Sequence, residues 1–204
     1  MPDYRIIGSG SRGNAVRIGP VMIDCGMPFG EMKEELYKCH SLLITHAHSD
    51  HVRSNTLKQI SIRFPWIRTY ANSDVAYRYY VNEVIGSAPF ELKDGITVTP
   101  FAAVHDIPTT GFMIRMDGED ILYVTDTSEV NIPKDARFDW FFIESNYDEA
   151  KLREAAKHYR RGGYDPADGA YRHLSTQQAK GVYYSHRKNK DSPFIELHKS
   201  SRFY

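Results

Sequence analysis

Cysteine is scarce: Cys25 and Cys39 are the only two among 204 residues, which excludes a disulfide framework. No window approaches the ~20 consecutive apolar residues that a membrane span needs. No apolar leader of signal-peptide type precedes the first polar turn at Gly8–Asn14, so a soluble, cytoplasmic chain is expected, with no membrane partner. Low-complexity tracts and repeats of fixed period are also missing, which sets aside solenoids and long disordered segments. Net charge is zero, with 26 basic and 26 acidic residues, but its distribution is uneven. Residues 151–204 carry 12 Lys and Arg against 5 Asp and Glu, whereas residues 1–150 carry 14 against 21. A carboxylate-rich first part suits divalent cations and a basic end suits an anionic substrate, although solvated helix faces produce charge runs too.

With 41% apolar residues, the chain can bury one sizeable core, and a single domain over residues 1–204 is expected. Short runs rich in β-branched and aromatic residues predict strands at Tyr4–Ile7, Ala15–Ile18, Val21–Ile23, Leu42–Thr45, Ile67–Ala71, Ile96–Phe101, Phe112–Met116, Ile121–Thr125 and Trp140–Ile143, with Phe194–Leu197 as a last one. Asp117-Gly118 supplies a hairpin turn. Helices are predicted at Glu31–Lys38, Ser54–Ile62, Asp74–Val81, Asp148–Tyr159 and Ser175–His186, with Ser54 and Ser175 as N-caps. The stretch Arg161–Gly169 resembles a linker, but the C-terminal segment beyond it is too short for a core of its own. The pattern is mixed α/β with much hairpin sheet.

The segment LLITHAHSDHV, Leu42–Val52, places His46, His48, Asp50 and His51 within six positions directly after an apolar strand. A loop at a strand end can project His46 and His48 to one side and turn back to offer Asp50 and His51, which gives N and O donors suited to Zn, Mn or Fe. A histidine-rich polar loop is the bland alternative, and nine histidines in 204 residues make so tight a cluster improbable by chance. Further donors stand at other predicted element ends: His105 in TPFAAVHDIP, Asp126 in ILYVTDTS, His173 in YRHLST and His198 in FIELH.

With these contexts the chain resembles the metallo-β-lactamase-fold hydrolases, a four-layer αββα sandwich with a dinuclear site along one edge of its sheets. GSGSRGN at Gly8–Asn14, LLITHAHSDHV, AVHD, VTDTS, IESNYD and RHLS further resemble the small YycJ/WalJ-like phosphodiesterases and nucleases, more distantly tRNase Z. The resemblance implies two divalent ions, Zn or Mn. It assigns His46, His48 and His105 to one ion, Asp50, His51 and His198 to the other, and Asp126 as bridge. Asp24 would orient a ligand, Asp50 would also position the nucleophile, and His173 would face the scissile phosphate, unless His173 is itself the last ligand. Ser11, Arg12 and Asn14 would offer donors to a phosphate, and Ser145 and Asn146 would lie near the substrate, with a glycine-rich turn and a helix cap as their bland readings. Two positions depart from the subgroup pattern: Tyr147 stands where such proteins often have His, and Arg172 replaces the usual Gly.

The resemblance sorts the neighbouring activities. The zinc β-lactamases commonly place a thiolate at the bridging position, where this chain has Asp126. Glyoxalase II-like thioesterases add a C-terminal helical domain, and β-CASP nucleases insert a large domain after the bridging aspartate, whereas 46 residues separate Asp126 from His173. A phosphodiester hydrolase is therefore expected, with a nuclease acting on DNA or RNA first. A phosphodiesterase of small cyclic nucleotides, such as a phage anti-defence enzyme, is the alternative, and a thioesterase or lactonase comes behind both. Zero net charge favours the small substrate, because tracking a polymer calls for a long basic surface. Tyr77, Tyr79, Tyr80, Tyr183 and Tyr184 could stack bases, but packing of one member of each cluster is the simpler expectation. His40, His158 and His186 match no motif and are expected to face solvent. A homodimer is a reasonable prior.

Overall fold

A computed structural model describes residues 2–157, 169–200 and 204. Two six-stranded sheets form the centre. The first runs in sequence order, β1 (Tyr4–Gly8), β2 (Ala15–Ile18), β3 (Val21–Ile23), β4 (Ser41–Ile44), β5 (Arg68–Ala71) and β6 (Glu83–Val84). The second has the order β12 (Phe194–Leu197), β11 (Trp140–Glu144), β10 (Glu119–Val124), β9 (Thr109–Met116), β8 (Thr97–Ala103) and β7 (Phe90–Glu91). Antiparallel hairpins build one side of each sheet, and parallel pairs β3–β4–β5 and β10–β11–β12 build the other, which carries the strand-end site residues except His105 after β8. Asp117 and Gly118, both with positive φ, close the β9–β10 hairpin as expected for that dipeptide.

Alternation along the strands sorts the core into three apolar layers. Val21 and Ile23 of β3, Leu43 of β4, Ile121 and Tyr123 of β10 and Trp140 and Phe142 of β11 meet between the sheets. The opposite residues Met22, Leu42 and Ile44 pack on α1 (Phe29–Leu36) and α2 (Ser54–Arg63) through Met32, Leu36, Leu57 and Ile60, joined by Val75 of α3 (Ser73–Tyr79). On the far side Leu122, Val124, Phe141 and Ile143 pack on Leu174 and on Ala179 of α5 (Thr176–His186). The layers are therefore α, β, β and α, the metallo-β-lactamase arrangement. A buried Arg17 on β2 ties sheet to helix, donating from Nε to Glu35 Oε2 of α1 at 2.6 Å and from Nη2 to Asp3 at 2.7 Å.

Local differences from the sequence reading have physical causes. The two-residue strands β6 and β7 were not expected, because cross-strand pairing rather than local propensity creates them. Ser54 is the first helical residue of α2, and its predicted cap role falls to Arg53, whose side chain makes no cap bond. Ser175 does cap α5, in a capping box with Gln178. Asp148 Oδ1 accepts from the backbone N–H groups of Ala150 and Lys151 and so opens α4 (Glu149–Lys157). Tyr79 and Tyr183 pack against the core while Tyr77, Tyr80 and Tyr184 are exposed, the division expected for clustered aromatics. His40 does not face solvent: it is held between Ser41 and Asp94. His186 likewise turns Nδ1 to the Ala136 carbonyl, at 3.0 Å. His158 and, except for Gly169, the linker-like stretch lie outside the described residues.

Candidate metal centre

The polar residues singled out from the sequence converge because they come after the ends of neighbouring strands. Asp24 succeeds β3, His46 to His51 succeed β4, His105 succeeds β8, Asp126 succeeds β10 and His198 succeeds β12. Asp24, Asp126 and His198 all adopt left-handed backbone conformations, with φ of 63°, 52° and 51°. Such angles turn the chain sharply out of the strand and cost non-glycine residues energy.

On the first sheet, Asp24 is fully buried and organises the histidine loop. Its Oδ1 accepts from Thr45 N at 2.8 Å, and its Oδ2 lies 2.7 Å from His51 Nδ1. With Nδ1 anchored on Asp24, His51 turns Nε2 toward the other donors, the nitrogen that would ligate a metal on losing its proton. Burial pushes the Asp24 carboxyl up, opposed by His51. Against burial, Asp126 and Asp24 hold His51 up to about 10. His46 is the opposite case: burial, then His51, take it down to about 2, so it stays neutral. Its Nε2 and His48 Nδ1 approach to 3.1 Å.

The glycine-rich turn braces this loop. Asn14 is buried, and its Nδ2 donates to the Gly10 and Asp50 carbonyls, each at 3.2 Å, and lies 2.8 Å from His51 Nε2. Asn14 therefore holds the ligand loop and is not presented to a phosphate, a correction to its expected role. Ser11 and Arg12 are the exposed members of the turn. Gly26 cannot carry a side chain, since a Cβ there would sit 1.7 Å from the Asp50 carbonyl oxygen.

On the second sheet the organising acid is Glu144, the last residue of β11, which sequence reasoning missed. It is fully buried, with Oε1 2.5 Å from His173 Nδ1 and 3.2 Å from His198 Nδ1 and Oε2 accepting from Thr127 N at 3.0 Å. Burial opposes its ionisation, but the two histidines hold its carboxyl below the usual range. Burial likewise disfavours a charged His198, yet Asp126, Asp50 and Glu144 hold it well above the ordinary histidine value. An acid closing the apolar run WFFIE was the available signal, because a buried charge needs partners.

Asp126 lies between the two sets of donors. Its Oδ1 is 3.8 Å from both His105 Nε2 and His173 Nδ1, and its Oδ2 is 2.9 Å from His51 Nε2 and 3.6 Å from His198 Nε2. Burial opposes its charge, but His51 and His198 keep its carboxyl well below the usual range. Donor atoms of His46, His48 and His105 lie within 4.8 Å of one another, and so do those of Asp50, His51 and His198. His173 groups with Asp126, Glu144 and His198. His198 Nε2, which faces Asp126 and Asp50, is buried without a hydrogen-bond partner. A buried polar atom left unpaired costs about 1–3 kcal/mol, and a cation among these imidazoles and carboxylates would remove that cost, so the donor set fits divalent metal.

Two other expected substrate residues are placed elsewhere. Ser145 is buried, its hydroxyl committed to Thr176 Oγ1 at 3.0 Å and Glu196 Oε1 at 2.9 Å, so it is withdrawn from any substrate. Asn146 Nδ2 donates to the His198 carbonyl at 2.8 Å and holds that residue instead. Tyr147 is a core residue packed with Leu152 and Ala170.

The αββα sandwich with this His/Asp edge defines a metallo-β-lactamase-fold protein. The chain belongs to the family described as Beta-lactamase superfamily domain, which matches residues 21–186. A curated relative, exodeoxyribonuclease YycJ of Bacillus anthracis, is 25% identical over 179 residues, covering 74% of this chain and 65% of the relative. The chain thus spans just under two thirds of that relative's length. Among solved structures, human tRNase Z, short form, is similar with a TM-score of 0.70 at 18% identity, over 99% of this chain and 94% of that one. The metallo-β-lactamase fold protein YhfI from Bacillus subtilis gives 0.67 at 13% identity, over 98% and 96%. Zn(2+)-bound PqqB from Methylobacterium extorquens gives 0.56 at 14% identity, over 98% of each chain. No helix among the described residues is long and apolar enough to cross a membrane.

Proposed function

We propose that this chain is a dinuclear metal-dependent phosphodiesterase acting on nucleic acid, a DNA or RNA nuclease. The observation that carries the reading is the Asp126 carboxylate, one oxygen facing His105 and the other facing His51 and His198. A carboxylate so placed would be able to serve two cations at once. His46, His48 and His105 would hold one, and Asp50, His51 and His198 the other, Zn or Mn by the chemistry of the donors. His198 is preferred to His173 as last ligand because its Nε2 is buried, unpartnered and 3.8 Å from Asp50 Oδ2. The YycJ relative favours nucleic acid as the substrate.

When bound, the two ions would supply Lewis-acid charge to a phosphoryl oxygen and acidify the attacking water. The remaining work belongs to side chains. Asp50, with 26% of its side chain exposed, is the acid of its set open to solvent. Burial opposes its charge, while His198 and His51 keep it ionised, so it can orient the water and accept its proton. Glu144 fixes His173 at Nδ1, which leaves Nε2 to protonate the leaving oxygen. Asp24 and Glu144 act through the histidines that they hold.

A single substrate panel tests the reading. Protein loaded with Mn or Zn is expected to cleave single-stranded DNA or RNA. Opening of cyclic mononucleotides with both polymers left intact would replace the nuclease with the small-nucleotide enzyme. Metal analysis giving fewer than two ions per chain, unchanged in His46→Ala, would overturn the dinuclear site.

A further inference from the structure

Arg172, the residue that departs from the subgroup pattern, reaches across the mouth of the metal centre. Its Nη1 donates to Asp106 Oδ2 at 3.1 Å, linking the turn before α5 to the loop after β8. The other oxygen of Asp106 lies 3.1 Å from His105 Nε2 and 3.6 Å from His48 Nε2. One carboxylate therefore joins a guanidinium to two nitrogens of the candidate metal set. Among the ion pairs of the described residues, this is the one that connects an Arg or Lys to that set. Arg172 is 56% exposed and Asp106 36%, so the pair is open to solvent and readily exchanged. The residue after Arg172 is His173, anchored at Nδ1 by Glu144.

We propose that Arg172 binds the non-bridging oxygens of the substrate phosphate, and that Asp106 occupies that position until a phosphate replaces it. The inference rests on the phosphodiesterase reading and deepens it. A guanidinium offers a planar pair of N–H donors that match two phosphate oxygens, as they match a carboxylate. The incoming anion takes over the partner role of Asp106, and Arg172 then grips the phosphate beside His173. This exchange selects an anionic ester over a neutral one, because only an anion can supply the charge that Asp106 gives up.

The two members of the pair are expected to respond with opposite sign, which a purely structural salt bridge would not do. In metal-loaded protein, Arg172→Gln is expected to weaken calorimetric binding of inorganic phosphate, and to raise KM for thymidine 5′-p-nitrophenyl phosphate, by roughly tenfold or more. Asp106→Asn is expected to tighten phosphate binding by roughly two- to fivefold, since it removes the competing anion. Arg172→Lys should recover part of the loss, keeping the charge without the fork. Weaker phosphate binding in both Arg172→Gln and Asp106→Asn, or less than a twofold change in Arg172→Gln, would overturn the assignment. Wild-type protein that cleaves no phosphodiester while phosphate binding still splits with opposite sign would sink the phosphodiesterase reading and leave the anion site standing.

Discussion

The two sheets build their halves of the candidate metal centre in different ways. The first contributes a contiguous loop, His46 to His51, bound beneath by Asp24 through one histidine. The second contributes single residues from separate strand ends, gathered by Glu144, whose one carboxylate holds both His173 and His198. A buried acid under histidines is common to both halves. The difference is in coupling: Asp24 orients a candidate ligand alone, whereas Glu144 orients a candidate ligand and the candidate proton donor together.

Removing what joins the halves should have the largest effect. Asp126→Asn is expected to lower bound metal, measured by atomic emission, from two ions per chain to one or none. Turnover should fall by more than about 10³-fold, the scale of losing several kcal/mol of metal-borne charge stabilisation. Glu144→Gln comes next, with a turnover loss of roughly 10–100-fold that excess metal does not restore, because His173 loses its anchor as well. Asp24→Asn should cost roughly 10–100-fold in metal affinity, and here excess metal should restore most of the turnover. Equal rescue of both variants by metal titration would erase the distinction drawn between the halves.

The smallest effect lies away from the edge, at the Arg17–Glu35 pair. Burial opposes the Glu35 charge, but Arg17 and Lys38 hold its carboxyl below the usual range. A depressed carboxyl stabilises the fold above its unfolded pKa of about 4.3, and that contribution is lost as pH falls through the lower folded value. Glu35→Gln should therefore cost about 1 kcal/mol at pH 7, or roughly 2–4 °C in Tm. The difference from wild type should shrink below pH 4, and a gap that widened there would contradict the assignment.

The halves also differ in how far they could be read from sequence. Contiguity made the first half plain, since LLITHAHSDHV compresses four donors into one loop. On the second half, His105, Asp126 and His198 became candidates only through their places at predicted strand ends. Glu144 escaped although an acid closing WFFIE hinted at a buried charge, because its two histidine partners come together only where β11, β12 and the turn before α5 meet. Ser145 and Asn14 show the reverse error: polar residues in motif-like segments turned inward to hydrogen-bond the scaffold. The ten strands of three or more residues were legible from alternation and β-branched content, while the two-residue β6 and β7 were not, being products of pairing.

The left-handed turns at Asp24, Asp126 and His198 carry a consequence for how this protein can evolve or be engineered. At each position glycine would relax the backbone but would remove a buried side chain that pairs with its neighbours in the candidate site. A variant chosen at these turns for its backbone alone would therefore lose a buried partner and a candidate ligand or orienting group together, so any stabilisation campaign that touches them needs a paired screen for metal binding and activity.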